Sequence, residues 1–241
     1  GCPPGTLANN FWPAFGNTLF FTLVTVLLET ILGIGMALVM AKDFHGRGLL
    51  RAAVLVPWAI PTAITAKLWA FLFSEQGIVN SIFHAHVAWQ TDPWAARFSI
   101  ILADVWKTTP FMALLILAGL QMIPKDLYEA ARMDGANAWQ RFTRITLPLA
   151  KNSIIVAVLF RMLDALRMYD LPYIMVGPNP DSPTATLSQL VVAAIRQDHV
   201  NAASTLSTLI FLLIFLIALC FVKSLGSKVA HQAEPVVAEE E

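Results

Sequence analysis

Five long apolar stretches dominate this sequence, and each is long enough to cross a membrane as a helix. About 20 mostly apolar residues are needed to span the hydrocarbon core of a bilayer. The stretches cover residues 15–40, 52–73, 98–122, 152–176 and 202–222. Because 57% of the 241 residues are hydrophobic and only 13% are charged, the composition is that of a membrane protein. The sequence therefore predicts an all-α membrane protein, a polytopic helical bundle with five spans.

The basic residues between the stretches are divided unequally. Residues 41–51, residues 123–151 and the tail after residue 222 together hold ten Lys or Arg, whereas segments 74–97 and 177–201 hold one Arg each. Loops rich in Lys and Arg stay in the cytoplasm. We therefore expect segment 123–151 and the C-terminus on the cytoplasmic side and the N-terminus outside. The formal net charge of zero gives no indication of a nucleic-acid partner.

This topology predicts the domain organisation. It consists of an extracytoplasmic segment (1–14), a transmembrane domain (15–222) and a cytoplasmic tail (223–241). Cys2 and Cys220 would lie on opposite sides of the membrane, so we expect no disulfide between them. The first dozen residues do not have the pattern of a signal peptide, and because the chain begins with Gly we expect further sequence upstream. His84 and His86 are interpreted as a surface pair, because a metal site needs a third ligand nearby.

Segment 123–151 is amphipathic and is predicted to form a short helical hairpin. Asp126 is predicted to cap the first helix, because Glu129 follows three residues later. Gly135 would end that helix, and a second short helix is predicted over residues 138–144. A compact hairpin on the cytoplasmic side of a membrane protein is typical of a docking element.

The same segment carries a motif with long, fixed spacing. Glu129-Ala130-Ala131 is followed after three residues by Gly135, and after nine more by Ile145-Thr146-Leu147-Pro148. This pattern resembles the EAA motif of ABC-importer permeases, in which the segment is a coupling helix that sits in a cleft of a cytoplasmic ATPase. The resemblance implies that the ATPase-coupling residues are Glu129, Ala130, Ala131, Arg132, Asp134, Gly135, Leu147 and Pro148. The alternative is an ordinary amphipathic loop that matches by chance.

This resemblance has wider implications for fold and partners. It implies the type I ABC-importer permease fold in a bacterial cytoplasmic membrane, with a sixth span expected ahead of residue 15. The chain contains no G-x-x-x-x-G-K-[ST] sequence, so it would hold no cofactor itself. ATP and Mg would be bound by two partner ATPase subunits. A second permease subunit, expected to form a heterodimer with this chain, and an extracytoplasmic substrate-binding protein would complete the transporter.

Eight charged residues fall inside or at the edges of the predicted spans. They are Glu29, Lys67, Asp104, Lys107, Arg161, Asp164, Arg167 and Asp170. Ionisable groups are costly in lipid, so they face a cavity or one another and often mark a transport pathway. Asp104 and Lys107 are three residues apart on one helical face, and Arg161 and Asp164 repeat this spacing. Each pair is predicted either to line a pathway or to form an internal salt bridge, and Glu29 is expected to have a partner across a helix interface.

Three further segments resemble maltose-type sugar permeases. They are residues 56–62 (VPWAIPT), 104–108 (DVWKT) and 169–173 (YDLPY, followed by Gly177-Pro178). In that family the helices that carry these segments hold a sugar midway across the membrane. The resemblance therefore implies substrate-binding roles for Trp58, Thr62, Asp104, Lys107, Thr108, Arg161, Asp164, Ala165 and Met168. The sequence departs from the family in carrying charges and a bulky Trp where amides or small polar groups are common.

The chemistry of these residues suits a sugar, because an aromatic face can stack on a pyranose ring and charged groups can bond its hydroxyls. Pro57 and Pro61 are helix breakers in the second span, and they require other groups to satisfy the freed carbonyls. The predicted function is the permease subunit of an ATP-driven importer that moves a sugar, such as trehalose or maltose, by alternating access. The alternatives are an ABC permease for an amino acid or phosphate, a secondary transporter or channel, and an intramembrane enzyme. The catalytic motifs H-E-x-x-H and G-x-S-x-G, which would support an intramembrane enzyme, do not occur in the sequence.

Overall fold

The computed structural model describes residues 5–84 and 86–232, and all regular secondary structure in those residues is helical. The helices are α1 (Gly5–Ala41), α2 (Arg47–Ala59), α3 (Thr62–Leu72), α4 (Ile78–Phe83), α5 (Pro93–Gln121), α6 (Lys125–Met133), α7 (Ala138–Arg141), a π turn (Phe142–Thr146), α8 (Leu147–Ala165), α9 (Asp170–Met175), α10 (Leu187–Arg196) and α11 (Val200–Gln232). The predicted all-α fold class is confirmed. The predictions about Cys2 and the tail residues 233–241 lie outside the described residues.

Four helical stretches are long and apolar enough to cross a membrane. They are Asn9–Ala41, Pro93–Gln121, Ala138–Ala165 and Val200–Phe221. Helices α2 and α3 together pass the same test but meet at an angle of 86°. Counted as one bent span, this pair brings the number in the described residues to the predicted five.

The second span, predicted as one helix over residues 52–73, is broken between α2 and α3. Ile60 has an extended backbone with ψ at 131°, and Pro61 precedes the first residue of α3. Proline lacks an N–H group and forces the residue before it out of the helical conformation. Helix α2 therefore ends at Ala59, whereas Pro57 lies inside α2 without ending it.

The fourth span, predicted over residues 152–176, begins and ends earlier than expected. Helix α8 ends at Ala165, and the short helix α9 follows after a turn. In a continuous helix the ring of Pro172 would clash with the carbonyl of Met168, so the chain turns between α8 and α9. The Met168 carbonyl instead accepts a hydrogen bond from Thr186 Oγ1 at 2.8 Å.

Helix α10 corrects the prediction of an outer loop over residues 177–201. Thr186 and Gln189 have the spacing of a capping box at its start, and Gln189 Oε1 accepts a hydrogen bond from the Thr186 N–H at 3.0 Å. Leu190 of α10 is buried against Ala14 of α1. With ten residues, α10 is too short to span a bilayer, and its apolar face packs on the bundle instead.

Helices α1 and α5 form the centre of the bundle. Their contacts are lined by Phe21, Ile100 and Ala103 in one half and by Ala37, Met40, Met112, Ala113 and Ile116 in the other. Gly33 of α1 makes the crossing close, because a Cβ atom there would lie 3.0 Å from Met112 Cβ. Gly119 of α5 has the same role beside α8, where a Cβ atom would overlap the side chain of Ser153. Small residues of this kind let membrane helices approach one another closely.

Segment 123–151 forms a hairpin, but its first helix begins differently from the prediction. Helix α6 starts at Lys125 behind Pro124, and no side chain caps it. Asp126 lies inside the first turn and is not the cap. Its negative charge there interacts favourably with the positive end of the helix dipole. Gly135 ends the helix as predicted, in the left-handed conformation with φ at 76°.

The second helix of the hairpin begins at Ala138 as predicted but does not end near residue 144. Asn137 caps it, accepting from the Gln140 N–H at 2.9 Å. The helix then continues through the π turn into α8, so Ala138–Ala165 is one helical stretch. Pro148 cannot donate to the carbonyl of Arg144, and a π turn accommodates that interruption without ending the helix.

Candidate substrate cavity and coupling surface

A cluster of buried charges joins α1, α5 and α8. Arg161 is only 2% exposed and contacts the carboxylates of Glu29, Asp104 and Asp164. Its Nε lies 2.5 Å from Glu29 Oε2, its Nη2 3.0 Å from Glu29 Oε1, and its Nη1 3.1 Å from Asp164 Oδ2. Thr108 Oγ1 donates to Glu29 Oε1 at 2.5 Å. The predicted salt bridge between Arg161 and Asp164 is present, and Glu29 has its expected partner across a helix interface.

This Arg161 cluster stabilises the arrangement of three helices. Removing one partner of a buried ion pair is strongly destabilising, because the other charge stays buried without compensation. Arg161 serves several acids at once, so Glu29 and Asp104 both depend on it. Asp164 differs from them because its side chain is 65% exposed. It is the carboxylate of the cluster that remains available to a ligand.

Lys107 and Asp104 do not form a salt bridge, which was one of the two predicted alternatives for this pair. Its Nζ donates to the carbonyl of Ile60 at 2.5 Å and lies 3.4 Å from the carbonyl of Trp58. These carbonyls lie at the end of α2, where Pro61 offers no N–H to continue the helix. A cation is also favoured at the negative end of a helix dipole. Lys107 therefore supplies the partner that the break in the second span requires.

A cavity of about 210 Å³ lies among α3, α5, α8 and α9. Seven of the nine predicted substrate residues line it: Thr62, Asp104, Lys107, Thr108, Arg161, Asp164 and Met168. The turn after α8 adds Arg167 and Tyr169, and the start of α9 adds Asp170 and Leu171. Residues from three separate predicted segments thus converge at one place, although their contact with a substrate remains a prediction. We refer to this space as the substrate cavity.

Trp58 and Ala165, the other two predicted substrate residues, do not line the substrate cavity. The ring of Trp58 is 48% exposed and stacks on Phe111, with ring centroids 5.8 Å apart. Ala165 is buried in the protein interior. The aromatic ring at the cavity belongs to Tyr169, which stacks on Tyr173 at 4.9 Å. Tyr169 lies in the segment YDLPY that resembles the sugar permeases, but it was not among the residues for which the resemblance implied a substrate-binding role.

The hairpin presents large apolar side chains to its surroundings. Met133 is 89% exposed and Trp139 is 70% exposed. Among the predicted coupling residues, Ala131 is half-buried, and the exposed ones are Glu129, Ala130, Arg132, Asp134, Gly135, Leu147 and Pro148. Exposed apolar groups beside polar ones indicate a protein interaction site. We call this exposed face of residues 125–148 the coupling surface.

The coupling surface is attached firmly to the spans. Tyr128 of α6 shares a hydrogen bond of 3.0 Å with Thr146 of the π turn. Because the helix that begins at Ala138 continues to Ala165, one continuous helical stretch connects the coupling surface with the Arg161 cluster. A displacement of the hairpin would therefore reach the substrate cavity directly.

Comparison with known proteins gives this geometry a context. The family described as "Binding-protein-dependent transport system inner membrane component" matches residues 29–231. A trehalose/maltose transport system permease protein of Thermococcus litoralis is 44% identical over 221 residues, covering 90% of this chain and 75% of the relative. A trehalose transport system permease protein of Mycobacterium tuberculosis is 39% identical over 219 residues, covering 90% of this chain and 71% of the relative.

A solved structure is similar across most of the chain. A chain of a bacterial alginate ABC transporter, in complex with an alginate pentasaccharide-bound periplasmic protein, superposes with a TM-score of 0.78 and 26% sequence identity. The similarity covers 88% of this chain and 77% of that one. The predicted permease fold is therefore confirmed by sequence and structure together.

Proposed function

The chain belongs to the family of binding-protein-dependent transport system inner membrane components, and from this membership we propose that it is one transmembrane subunit of an ATP-driven sugar importer. The observation that carries the proposal is the convergence of seven predicted substrate residues on one cavity within the membrane spans. The names of two relatives, which refer to trehalose and maltose, favour a disaccharide as the substrate.

The substrate cavity has the chemistry that a sugar requires. Hydroxyl groups need both acceptors and donors, which the exposed side chains of Asp164, Arg167 and Asp170 supply. The ring of Tyr169 provides an apolar face for a pyranose. Arg161 is occupied by three carboxylates and would position Asp164 for the sugar, while its direct contact with a sugar stays a prediction. Lys107 holds the bend between α2 and α3.

The substrate cavity is half of a complete site. Its volume of about 210 Å³ is below the roughly 300–1,000 Å³ that small-molecule sites occupy. A second permease subunit, expected to differ from this chain, would close the exposed side of the cavity. An extracytoplasmic binding protein would deliver the sugar to it.

Energy would reach the cavity through the coupling surface. One of the two ATPase subunits, which bind ATP and Mg, would dock on the exposed apolar side chains of this hairpin. The stretch Ala138–Ala165 has a length of roughly 40 Å at 1.5 Å per residue. Closure of the ATPases would move this helix and the Arg161 cluster as one body, so the cavity would open alternately to each side.

The proposed orientation follows from charge. Placing segment 123–151 in the cytoplasm agrees with the positive-inside rule and with ATPase docking on that side. Residues 1–14 would then be extracytoplasmic, and residues 223–241 would form a cytoplasmic tail. The protein would be a multi-pass component of a bacterial cytoplasmic membrane.

The test is the ATPase activity of the reconstituted complex, measured with its binding protein across a panel of sugars, amino acids and ions. We expect stimulation by trehalose or maltose. Stimulation only by an amino acid or by phosphate would leave the importer function intact and refute the sugar. A complex in which this chain retains no ATPase subunit would refute the coupling function itself.

A further inference from the structure

A second and larger cavity lies behind the coupling surface. Its volume is about 840 Å³, and it is bordered by α6, the π turn and the ends of α1, α2 and α5 but open on one side. Five basic side chains line it: Lys42, Arg47, Arg51, Lys125 and Arg132. Two acidic side chains, Asp43 and Glu129, also line it. The lining therefore carries a surplus of three positive charges.

Internal pairing does not use up this surplus. Asp43 contacts both Arg47 and Lys125, the latter at 2.8 Å. Hydrogen bonding and attraction from Lys125, supported by Arg47, hold the pKa of Asp43 below its ordinary value. Asp43 is therefore ionised at neutral pH, and two cations share its single charge. In the described part of the chain, Lys42 and Arg132 have no carboxylate within salt-bridge distance.

Arg51 also lines this cavity. Its Nη2 donates to the carbonyl of Met40 at 2.7 Å, which ties α2 to the end of α1. Its Nε is buried and has no hydrogen-bond partner among the described residues. Guanidinium groups match the geometry of phosphate oxygens particularly well.

Apolar side chains also line the cavity. Leu38 and Leu120, near the ends of α1 and α5, and Ile123, just after α5, lie in the lining together with the cations. In the orientation given under the proposed function, such a cavity would lie at the boundary between hydrocarbon and water. Basic pockets between transmembrane helices at the cytoplasmic surface suit the head groups of anionic lipids. Leu38 and its neighbours would contact acyl chains, and the cations would contact the phosphate.

We propose that this cavity binds a phosphate group, supplied by an anionic phospholipid of the cytoplasmic leaflet. The proposal rests on the orientation given under the proposed function, which places the cavity in that leaflet. The bound phosphate would contact cations of α2 and α6 at the same time. It would therefore hold the coupling hairpin against the spans.

The test uses the assembled transporter in phosphatidylcholine nanodiscs doped with a minor fraction of phosphatidylglycerol. Phosphatidylglycerol retained after extraction is counted by native mass spectrometry, without substrate or ATP. We expect Lys42→Gln to weaken retention about fivefold, the effect of one basic residue near a membrane surface. Lys151→Gln is the matched control, because Lys151 is exposed, lies on the same side and does not line the cavity.

The outcomes distinguish a lipid source of the phosphate from a cytosolic one, and they distinguish failure of this proposal from failure of the sugar proposal. Loss of phosphatidylglycerol from Lys42→Gln but not from Lys151→Gln supports the site. Equal retention by both variants and the original chain overturns it. Displacement of the lipid by millimolar inorganic phosphate supports the phosphate site but assigns its source to the cytosol. Because neither sugar nor ATP is present, failure of the sugar proposal would leave these results unaffected.

Discussion

The Arg161 cluster and the cavity behind the coupling surface use the same charged groups in opposite proportions. Around Arg161, three carboxyl groups share one guanidinium, whereas in the larger cavity five basic groups face two acids. The first arrangement is mostly buried and joins helices, with only Asp164 exposed, and the second is open and carries more cations than anions. Charge balance thus indicates which region supports the fold and which region accommodates a ligand.

The largest effect is expected from Arg161→Met. This change leaves Glu29 and Asp104 buried without their cation, which should destabilise the fold by about 3–5 kcal/mol. The melting temperature of the purified protein in detergent measures this loss. A variant that melts like the original chain would contradict the supporting function of the cluster.

A neutralised cluster provides the control for that experiment. In the triple variant Glu29→Gln, Asp104→Asn, Arg161→Met no buried charge lacks a partner. Replacing a complete buried ion pair costs far less than breaking one, so the triple variant should melt above the single one. If the triple variant is less stable than Arg161→Met, side-chain packing rather than charge dominates at this site.

The second effect concerns the coupling surface. Gly135 has a left-handed φ of 76°, and a Cβ atom there would meet nothing within 4 Å. Gly135→Asp should therefore fold, since Asp tolerates this conformation better than most residues. It would place a new carboxylate at the proposed ATPase interface, where an unmatched charge costs several kcal/mol. Substrate-stimulated ATPase activity should fall on the order of 100-fold, because 1.4 kcal/mol corresponds to a factor of ten.

Gly46→Asp is the matched control for this change. Gly46 also has a left-handed φ, of 88°, and open space around its Cβ position. It lies at the start of α2, outside residues 125–148 that form the coupling surface. Full activity in Gly46→Asp together with loss in Gly135→Asp would assign the effect to docking. Equal loss in both would indicate backbone strain instead.

These two regions also differ in how far the sequence predicts them. The hairpin depends on local signals, because Gly135 and the capping residues act within a few positions of themselves. Its helices were therefore placed within a few residues, apart from the continuation through the π turn. The partners of Arg161 lie 57 and 132 positions away. Spacing could identify Asp164 as a partner of Arg161, but for Asp104 it offered only Lys107, three residues away, and not Arg161.

The break in the second span is a further example. Pro61 indicated that carbonyls would be freed, but no local rule identifies the donor that satisfies them. Lys107 supplies it from another helix, at a separation of 47 residues from Ile60. Likewise, the sequence contains the capping signal at Thr186. The short helix α10 was nevertheless not predicted, because residues 177–201 were treated as a loop between two spans.

The third effect tests this donor. Lys107→Met should leave the carbonyls of Ile60 and Trp58 without a partner, which costs about 1–3 kcal/mol. Reduced thermal stability, with a changed proteolysis pattern at the bend between α2 and α3, would reveal the loss. Lys67→Met is the control, because Lys67 is exposed in α3. An identical melting temperature for both variants would show that the carbonyls find other partners.

The fourth effect tests the substrate cavity. Asp164 is a better target than Asp104, because its side chain is 65% exposed, whereas Asp104 is buried against Arg161. Asp164→Asn should raise the sugar concentration for half-maximal uptake about tenfold, the value of one charged hydrogen bond. Glu75→Gln, an exposed change outside the cavity, should have no effect. Unchanged uptake in Asp164→Asn would remove this carboxylate from the proposed sugar site.

The smallest effect sharpens the comparison of the two charged regions. Asp43 is exposed, and surface ion pairs contribute little because water and salt screen them, so Asp43→Asn should leave the melting temperature unchanged. The same change raises the positive surplus of the larger cavity by one charge. It should therefore strengthen retention of phosphatidylglycerol by about fivefold, opposite in sign to Lys42→Gln.

The pH dependence of that difference follows from the lowered pKa of Asp43. A carboxyl group with a depressed pKa is still charged when the pH equals the ordinary Asp pKa of about 3.9, and it loses its charge only as the pH falls below that value. The original chain and Asp43→Asn should therefore differ in lipid retention throughout the neutral range. They should converge only in strong acid, where Asp43 becomes protonated and the two linings carry the same charge. Convergence already near neutral pH would show that a group other than Asp43 controls the charge of the cavity.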